Sequence, residues 1–181
     1  ISGVLIVIFL LPVTWAVLKE YQKDRILTFL QPESDPLGSG YQVIQSKIAI
    51  GSGGFWGTGL FEGSQNQLGF LPTRHTDFIF SVVAEEMGFV GVCVTLALLL
   101  TFVFRTLSLT FMPGDTLGLF IVLGVGGMFV FHILVNVGMV IGFMPITGIP
   151  LPFLSYGGSS VLTAFIGLGL IVSVRRCRYV N

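Results

Sequence analysis

The chain has 181 residues, 53% of them hydrophobic, and a mean hydropathy of +0.92. Only 10% are charged, against about 25% in a soluble domain, so the composition excludes an ordinary water-soluble fold. Zero net charge argues against a nucleic-acid partner, and the two cysteines, Cys93 in an apolar run and Cys177 in a basic tail, read as free thiols rather than a disulfide framework.

Residues 1–18, ISGVLIVIFLLPVTWAVL, are apolar throughout apart from Pro12, and about 20 such residues cross a hydrocarbon core. They are predicted to be membrane-spanning, with Trp15 and Tyr21 at the level of an aromatic belt. No n-region or cleavage site precedes them and there is no starting Met, so the chain is expected to be the C-terminal part of a longer protein.

Residues 19–40 are polar and then turn-rich, punctuated by Pro32, Pro36, Gly38 and Gly40. Residues 41–50, YQVIQSKIAI, are too few to span and predict a short interfacial or re-entrant helix. The glycine-rich run 51–59, holding Phe55 and Trp56, is expected to be flexible and able to gate substrate entry. Residues 78–104 predict a second span, interrupted by Glu85 and Glu86, and 105–116 a short polar connection with Pro113 and Gly114. A third span covers 117–143 and carries His132 and Asn136. The run 144–158, MPITGIPLPFLSYGG, holds three prolines and cannot be one regular helix. A fourth span, 159–174, ends at Arg175, Arg176 and Arg178. The basic tail is short and abuts a span, which places it in the cytoplasm. Counting back puts 144–158 outside, 105–116 inside and 19–77 outside.

The polar stretch 51–77, GSGGFWGTGLFEGSQNQLGFLPTRHTD, is where such a protein would keep its chemistry. Asp77 is its last polar residue before the second span. It reads either as the N-cap of that helix, its ionised form favoured by the helix dipole, or as a general base or cation ligand at the membrane face, and the two are compatible. Glu85 and Glu86 lie roughly 12–14 Å deeper at helical rise. Glu85 is about 80° round the helix from Asp77 and Glu86 on the opposite side, so Glu85 is the carboxylate expected to share a cavity with Asp77, unless it pairs with a basic residue of another helix. Lys47, Arg74 and His75 are cations of the same segment, suited to a pyrophosphate or to anionic headgroups. His132 and Asn136 share one helix face and suggest inter-helix hydrogen bonds, and Gly124, Gly126 and Gly127 suggest close helix packing. No P-loop, HExxH, paired-cysteine metal site or Ser-His-Asp arrangement is visible.

Three runs, DPLGSGYQVIQSKIAIGSGGFWGTG, FLPTRHTDFIFSVVAEEMG and NVGMVIGFMPITGIPLPFLSYGGSS, together resemble the SEDS (RodA/FtsW/SpoVE) family of peptidoglycan glycosyltransferases, over nearly the whole chain from Asp24 to Arg178. QSKIAIGSGG and the arginine of LPTRHTDFIF are closer to the RodA branch, which serves elongation, than to the FtsW branch, which serves division. The resemblance implies an all-α polytopic membrane protein, of whose ten-helix bundle this chain supplies the last four helices and a large extracellular loop with short re-entrant or interfacial helices. It implies polymerisation of lipid II into glycan strands, for elongation and cell shape, at the bacterial cytoplasmic (inner) membrane. It further implies a divalent cation, Mg²⁺ or Mn²⁺, a class B penicillin-binding protein and other elongation-complex membrane proteins as partners, and an essential aspartate matching Asp77. A fragment of this length is expected to be inactive alone.

The implied reaction converts an α-linked donor into a β linkage. A single inverting displacement needs one base for the acceptor 4-hydroxyl and a cation for the leaving pyrophosphate. Asp77 serves as the base or as the ligand of a hard metal ion, with Lys47, Arg74, His75 and Glu85 as substrate-binding groups. Two other readings fit the same residues. A lipid II transporter (flippase) would need two gated faces, and a non-catalytic scaffold of the wall-synthesis complex would tolerate loss of Asp77.

Overall fold

The computed structural model describes residues 19–31, 38–63, 76–111 and 116–177. Among the described residues all regular structure is helical: α1 (Glu20–Leu30), α2 (Ser39–Gly53), α3 (Ile79–Ser108), a 3₁₀ turn (Leu109–Phe111), α4 (Thr116–Ile141) and α5 (Gly158–Cys177). Three helices, Ile79–Ser108, Thr116–Ile141 and Gly158–Arg176, are long and apolar enough to cross a membrane. The predicted span over 1–18, with Trp15, lies outside the described residues, as do Pro113, Gly114 and the Cys177 side chain.

Two elements differ from expectation. The polar stretch after residue 18 is helical up to Leu30, because KEYQKDRILTFL is made of good helix formers and meets no breaker before Pro32. The short helix expected over 41–50 is longer, at 15 residues. Its face of small side chains, Val43, Ser46 and Ala49, is buried at three-residue spacing. Ser46 Oγ donates to Val140 O of α4 at 3.1 Å as well as to Val43 O of its own helix. Small residues let the two backbones approach closely, so α2 belongs to the packed bundle.

The largest departure is inside α3. Gly88 has φ 64° and ψ −163°, which breaks the helix into residues 79–87 and 89–108. The second part alone matches the ~20 residues that cross a hydrocarbon core. A break leaves carbonyls behind it and N–H groups ahead of it without helical partners. The turn after α2 supplies both. Thr58 N donates to Glu85 O at 2.9 Å and Gly59 N to Glu86 O at 3.1 Å, while Phe89 N donates to Gly54 O at 3.0 Å and Val90 N to Phe55 O at 3.3 Å. Thr58 Oγ1 adds a bond to Glu85 O at 3.1 Å. Run 51–59 is therefore a fitted plug and not the flexible gate expected from its glycines: residues 51–53 finish α2, and the rest is bonded into the break. Glycine is required on both sides of this contact. A Cβ on Gly88 would meet Gly57 N, and one on Gly57 would meet Glu86 O.

The core runs through the bundle from Ala49 of α2 and Phe78 and Phe80 near the head of α3 to Phe129, Met139 and Val140 of α4 and Ala164 and Ile171 of α5. The proline-bearing connection between α4 and α5 closes over it, with Leu151 1% exposed. Phe153 in that connection has φ +65°, unusual for a residue with a Cβ. Its ring is held by Phe102 (5.2 Å), Phe129 (5.7 Å) and Phe165 (6.0 Å), one each from α3, α4 and α5, and aromatic contacts of this kind offset the backbone cost. Of the three glycines expected to pack helices, only Gly126 does so, against Leu107 and Thr106; a Cβ on Gly124 or Gly127 would meet nothing within 4 Å.

These contacts set an expectation for thermal unfolding of the purified full-length protein. Gly88→Ala is expected to destabilise by about 1–3 kcal/mol, plus the cost of displacing Gly57, because φ 64° with ψ −163° is a conformation that essentially only glycine adopts. Gly124→Ala, at an exposed position, should leave the midpoint unchanged or slightly raised. Equal midpoints for the two variants would contradict the role given to the break.

Candidate functional site

Asp77 stands one residue before the cap position of α3, which is Phe78 and has no side-chain cap bond. The expected N-cap role is therefore corrected: the first carbonyl of the helix is that of Phe78, which accepts from Ser81 N at 3.0 Å and Ser81 Oγ at 2.7 Å. The Asp77 side chain is only partly exposed. It accepts a hydrogen bond from the Thr76 side chain and feels the charge of Arg25. A Cβ on Gly148, in the α4–α5 connection, would lie 3.5 Å from Asp77 Oδ2, so the loop backbone passes directly beside the carboxylate.

Two buried polar side chains fix the backbone here. Asn136 of α4 is wholly buried, and its Nδ2 donates to Asp77 O at 2.9 Å and to Ile149 O at 2.8 Å. Ser155 Oγ donates to Thr76 O at 2.6 Å and accepts from Leu151 N at 2.7 Å. The head of α3, the C-terminal part of α4 and the α4–α5 connection are thereby tied at one point. Asn136 does form the bridging bonds that its place in an apolar span suggested, but to loop and helix-start carbonyls. Its neighbour on the helix face, His132, instead lines a cleft of about 180 Å³ with Pro150, Pro152, Ser159, Ser160 and Thr163.

Burial pushes the Asp77 carboxyl above the ordinary aspartate value of 3.8; the Thr76 hydrogen bond and the Arg25 charge oppose this without cancelling it. The helix-dipole expectation of a favoured ionised form is thus overturned by desolvation. Arg25 reaches the site from α1 and is anchored by Nη1 donating to Ile146 O at 2.9 Å. It shares a shallow cleft with Lys47, Thr28, Gly142, Met144 and Ile146, and the Lys47 ammonium lies against Gly142. Of the expected cations, Lys47 shares this cleft with Arg25, while Arg74 and His75 lie outside the described residues.

Glu85 does not share a cavity with Asp77. It is 0% exposed and sits at the break of α3, with its carboxyl against Gly63 and its backbone carbonyl bonded to Thr58. Contacts from Gly63 and Thr58 place Glu85 with the plug, where helical geometry alone placed it beside Asp77. Arg25 and Ser155 were missed by sequence reasoning. Arg25 lay in a stretch read as loop, and Ser155 acts through the backbone of a residue 79 positions away.

The family model described as "Cell cycle protein" (FtsW/RodA/SpoVE) matches residues 1–179. The chain belongs to this family. It is 46% identical over 177 residues to the peptidoglycan glycosyltransferase MrdB of Escherichia coli K12, covering 97% of this chain and 48% of that protein. It is 54% identical over 158 residues to the peptidoglycan glycosyltransferase RodA of Treponema pallidum, covering 87% of this chain and 36% of that protein. The stage V sporulation protein E of Bacillus subtilis is 41% identical over 156 residues, 86% of this chain and 42% of that protein. A solved structure described as "Structural coordination of polymerization and crosslinking by a peptidoglycan synthase complex" superposes with a TM-score of 0.74 at 42% identity, over 99% of this chain and 49% of that one. The chain of this SEDS protein therefore spans about half the length of the relatives it matches or less.

Removing the Asn136 amide would leave two carbonyls in apolar surroundings. Asn136→Leu in the full-length protein is expected to cost about 2 kcal/mol or more, and hydrogen exchange at the head of α3 should rise. Thr163→Val, which removes one exposed bond to Ser159 O, is expected to change stability by less than about 0.5 kcal/mol. Comparable losses in the two would remove Asn136 from its tying role.

Proposed function

We propose that this SEDS chain works as part of a peptidoglycan glycosyltransferase that polymerises lipid II during cell elongation, with Asp77 as the group that takes the acceptor proton or holds the divalent cation. The observation that carries the reading is the half-buried Asp77 carboxylate, fixed by its own backbone and faced by one guanidinium, in a chain whose relatives are named peptidoglycan glycosyltransferases. Elongation follows the MrdB and RodA names of those relatives. A class B penicillin-binding protein is the proposed partner, supported by the neighbour's description as a synthase complex joining polymerization and crosslinking. The bacterial cytoplasmic membrane is the proposed location, with the Asp77 end facing outward.

The residues divide the work. Burial raises the proton affinity of Asp77, which makes it a stronger base than an ordinary aspartate. Arg25 limits that rise and favours the ionised form. Thr76 orients one oxygen, and Asn136 and Ser155 hold the two carbonyls beside it, so the carboxylate meets the acceptor hydroxyl without reorganising. Among the described residues, Lys47 and Arg25, in their shared cleft, are cations available to phosphate oxygens. Among the described residues no three His, Cys, Asp or Glu side chains cluster as a metal site. A lone carboxylate still suits Mg²⁺ or Mn²⁺, which keep several waters and take one or two carboxylates plus substrate phosphates. When bound there, such an ion would neutralise charge on the leaving pyrophosphate.

The test uses the full-length protein with its penicillin-binding partner, labelled lipid II and Mn²⁺. Asp77→Asn is expected to lower polymerisation roughly 10²–10⁴-fold with partner binding intact, and equal glycan ladders would remove Asp77 from the mechanism. The pH profile separates base from bystander. A base works deprotonated, so the rate should climb as pH rises through a value above 3.8 and then level off. Arg25→Gln removes a charge that lowers this value, so the rising limb should move to higher pH; an unmoved limb would contradict the role of Arg25. Absence of glycan from the wild type, where a known polymerase succeeds, would favour a transporter or scaffold.

A further inference from the structure

The end of the bundle opposite Asp77 carries a second site. α3 and α5 both end there, each with arginine in its last turn: Arg105 in α3, Arg175 and Arg176 in α5. An arginine near a helix C-terminus is favoured by the dipole, which accounts for one cation per helix. It does not account for two from different helices lining one cavity. Arg105 and Arg175 line a cavity of about 210 Å³ whose other walls include Phe102, Leu109, Ile171 and Val172. From residue 87 onward the sequence holds one acid, Asp115, against the four arginines 105, 175, 176 and 178. The chain's own charges therefore leave a net positive end, and the cavity joins two guanidiniums to an apolar wall.

The geometry points to an anionic phospholipid bound between α3 and α5, its headgroup phosphate held by Arg105 and Arg175 and the first carbons of its acyl chains against Phe102 and Val172. Guanidinium groups match phosphate oxygens in pairs, and basic pockets between membrane helices are suited to anionic headgroups. The apolar wall selects a lipid over a free phosphate. Val172 on the cavity wall is 55% exposed, which leaves an apolar flank along which acyl chains can lie. The site is independent of the polymerase reading, since it uses none of the residues around Asp77.

Native mass spectrometry of the full-length protein, given equal phosphatidylglycerol and phosphatidylcholine, tests the assignment. At roughly fivefold per arginine, the wild type is expected to retain phosphatidylglycerol some 25-fold over phosphatidylcholine. Arg105→Gln with Arg175→Gln should abolish that preference, and Arg176→Gln, at an exposed position outside the cavity wall, should keep it. Equal retention of both lipids by the wild type, or an undiminished preference in the double variant, would overturn the proposal. On the unmutated protein, a photoactivatable phosphatidylglycerol is expected to label peptides covering 102–109 and 171–175. Labelling confined to other segments would overturn it without reliance on a variant. Millimolar glycerol phosphate is expected not to displace the lipid; complete displacement would assign the site to free phosphate instead.

Discussion

A helix interrupted inside a membrane protein strands backbone carbonyls on one side of the gap and N–H groups on the other, where no water reaches them. Here the interruption at Gly88 is closed by four backbone hydrogen bonds exchanged with the turn that follows α2. The exchange makes that turn a structural part of the membrane helix. It fixes α2 against α3, and through Ser46 and Val140 against α4. It also frees the first part of α3 from continuing the axis of the second, so that its head can meet α4 at Asn136. The rest of the described bundle follows from that freedom.

Position and proton affinity at Asp77 are set by different groups. Asn136 and Ser155 hold backbone carbonyls and carry no charge, so they place the residue without altering its electrostatics. Burial, Thr76 and Arg25 act on the carboxylate itself. Separating the two allows the carboxylate to be tuned while its place is kept by bonds to the main chain. The α4–α5 connection takes part in both, through Ile149 and Leu151 as bonded partners and through Gly148 beside the carboxylate. Its strained Phe153, clamped by rings from three helices, holds that connection over the core.

Charge is distributed unevenly along the bundle. Asp77 precedes α3 and Glu85 and Glu86 lie in its part before the break, while Arg105, Arg175 and Arg176 lie at the far ends of α3 and α5. Between them the helices are apolar on nearly all faces, as expected for elements surrounded by lipid or by other membrane helices. Charge is thus concentrated at the two ends, one furnished with Asp77 and Arg25 and the other with Arg105, Arg175 and Arg176.

Three of the predicted spans fall on helices long and apolar enough to cross a membrane, because a length of about 20 apolar residues is a requirement that lipid imposes on sequence directly. The motif containing Asp77 was equally legible, since its family likeness lies in contiguous residues. Three features were decided only by tertiary structure. The break in α3 was hidden because a glycine in an apolar run is common in membrane helices, and only the plug of residues 54–59 makes the left-handed turn favourable. Glu85 was placed beside Asp77 by helical rotation, and only the packing of Gly63 and the plug against the segment before the break decides what its carboxyl faces. Arg25 and Ser155 are held at the site by bonds to main-chain oxygens distant in sequence, which every residue type presents alike. The sequence by itself determined what must lie in the bilayer and which carboxylate to examine. The tertiary structure decided which groups surround that carboxylate, because burial and backbone hydrogen bonding exist only once distant segments have met.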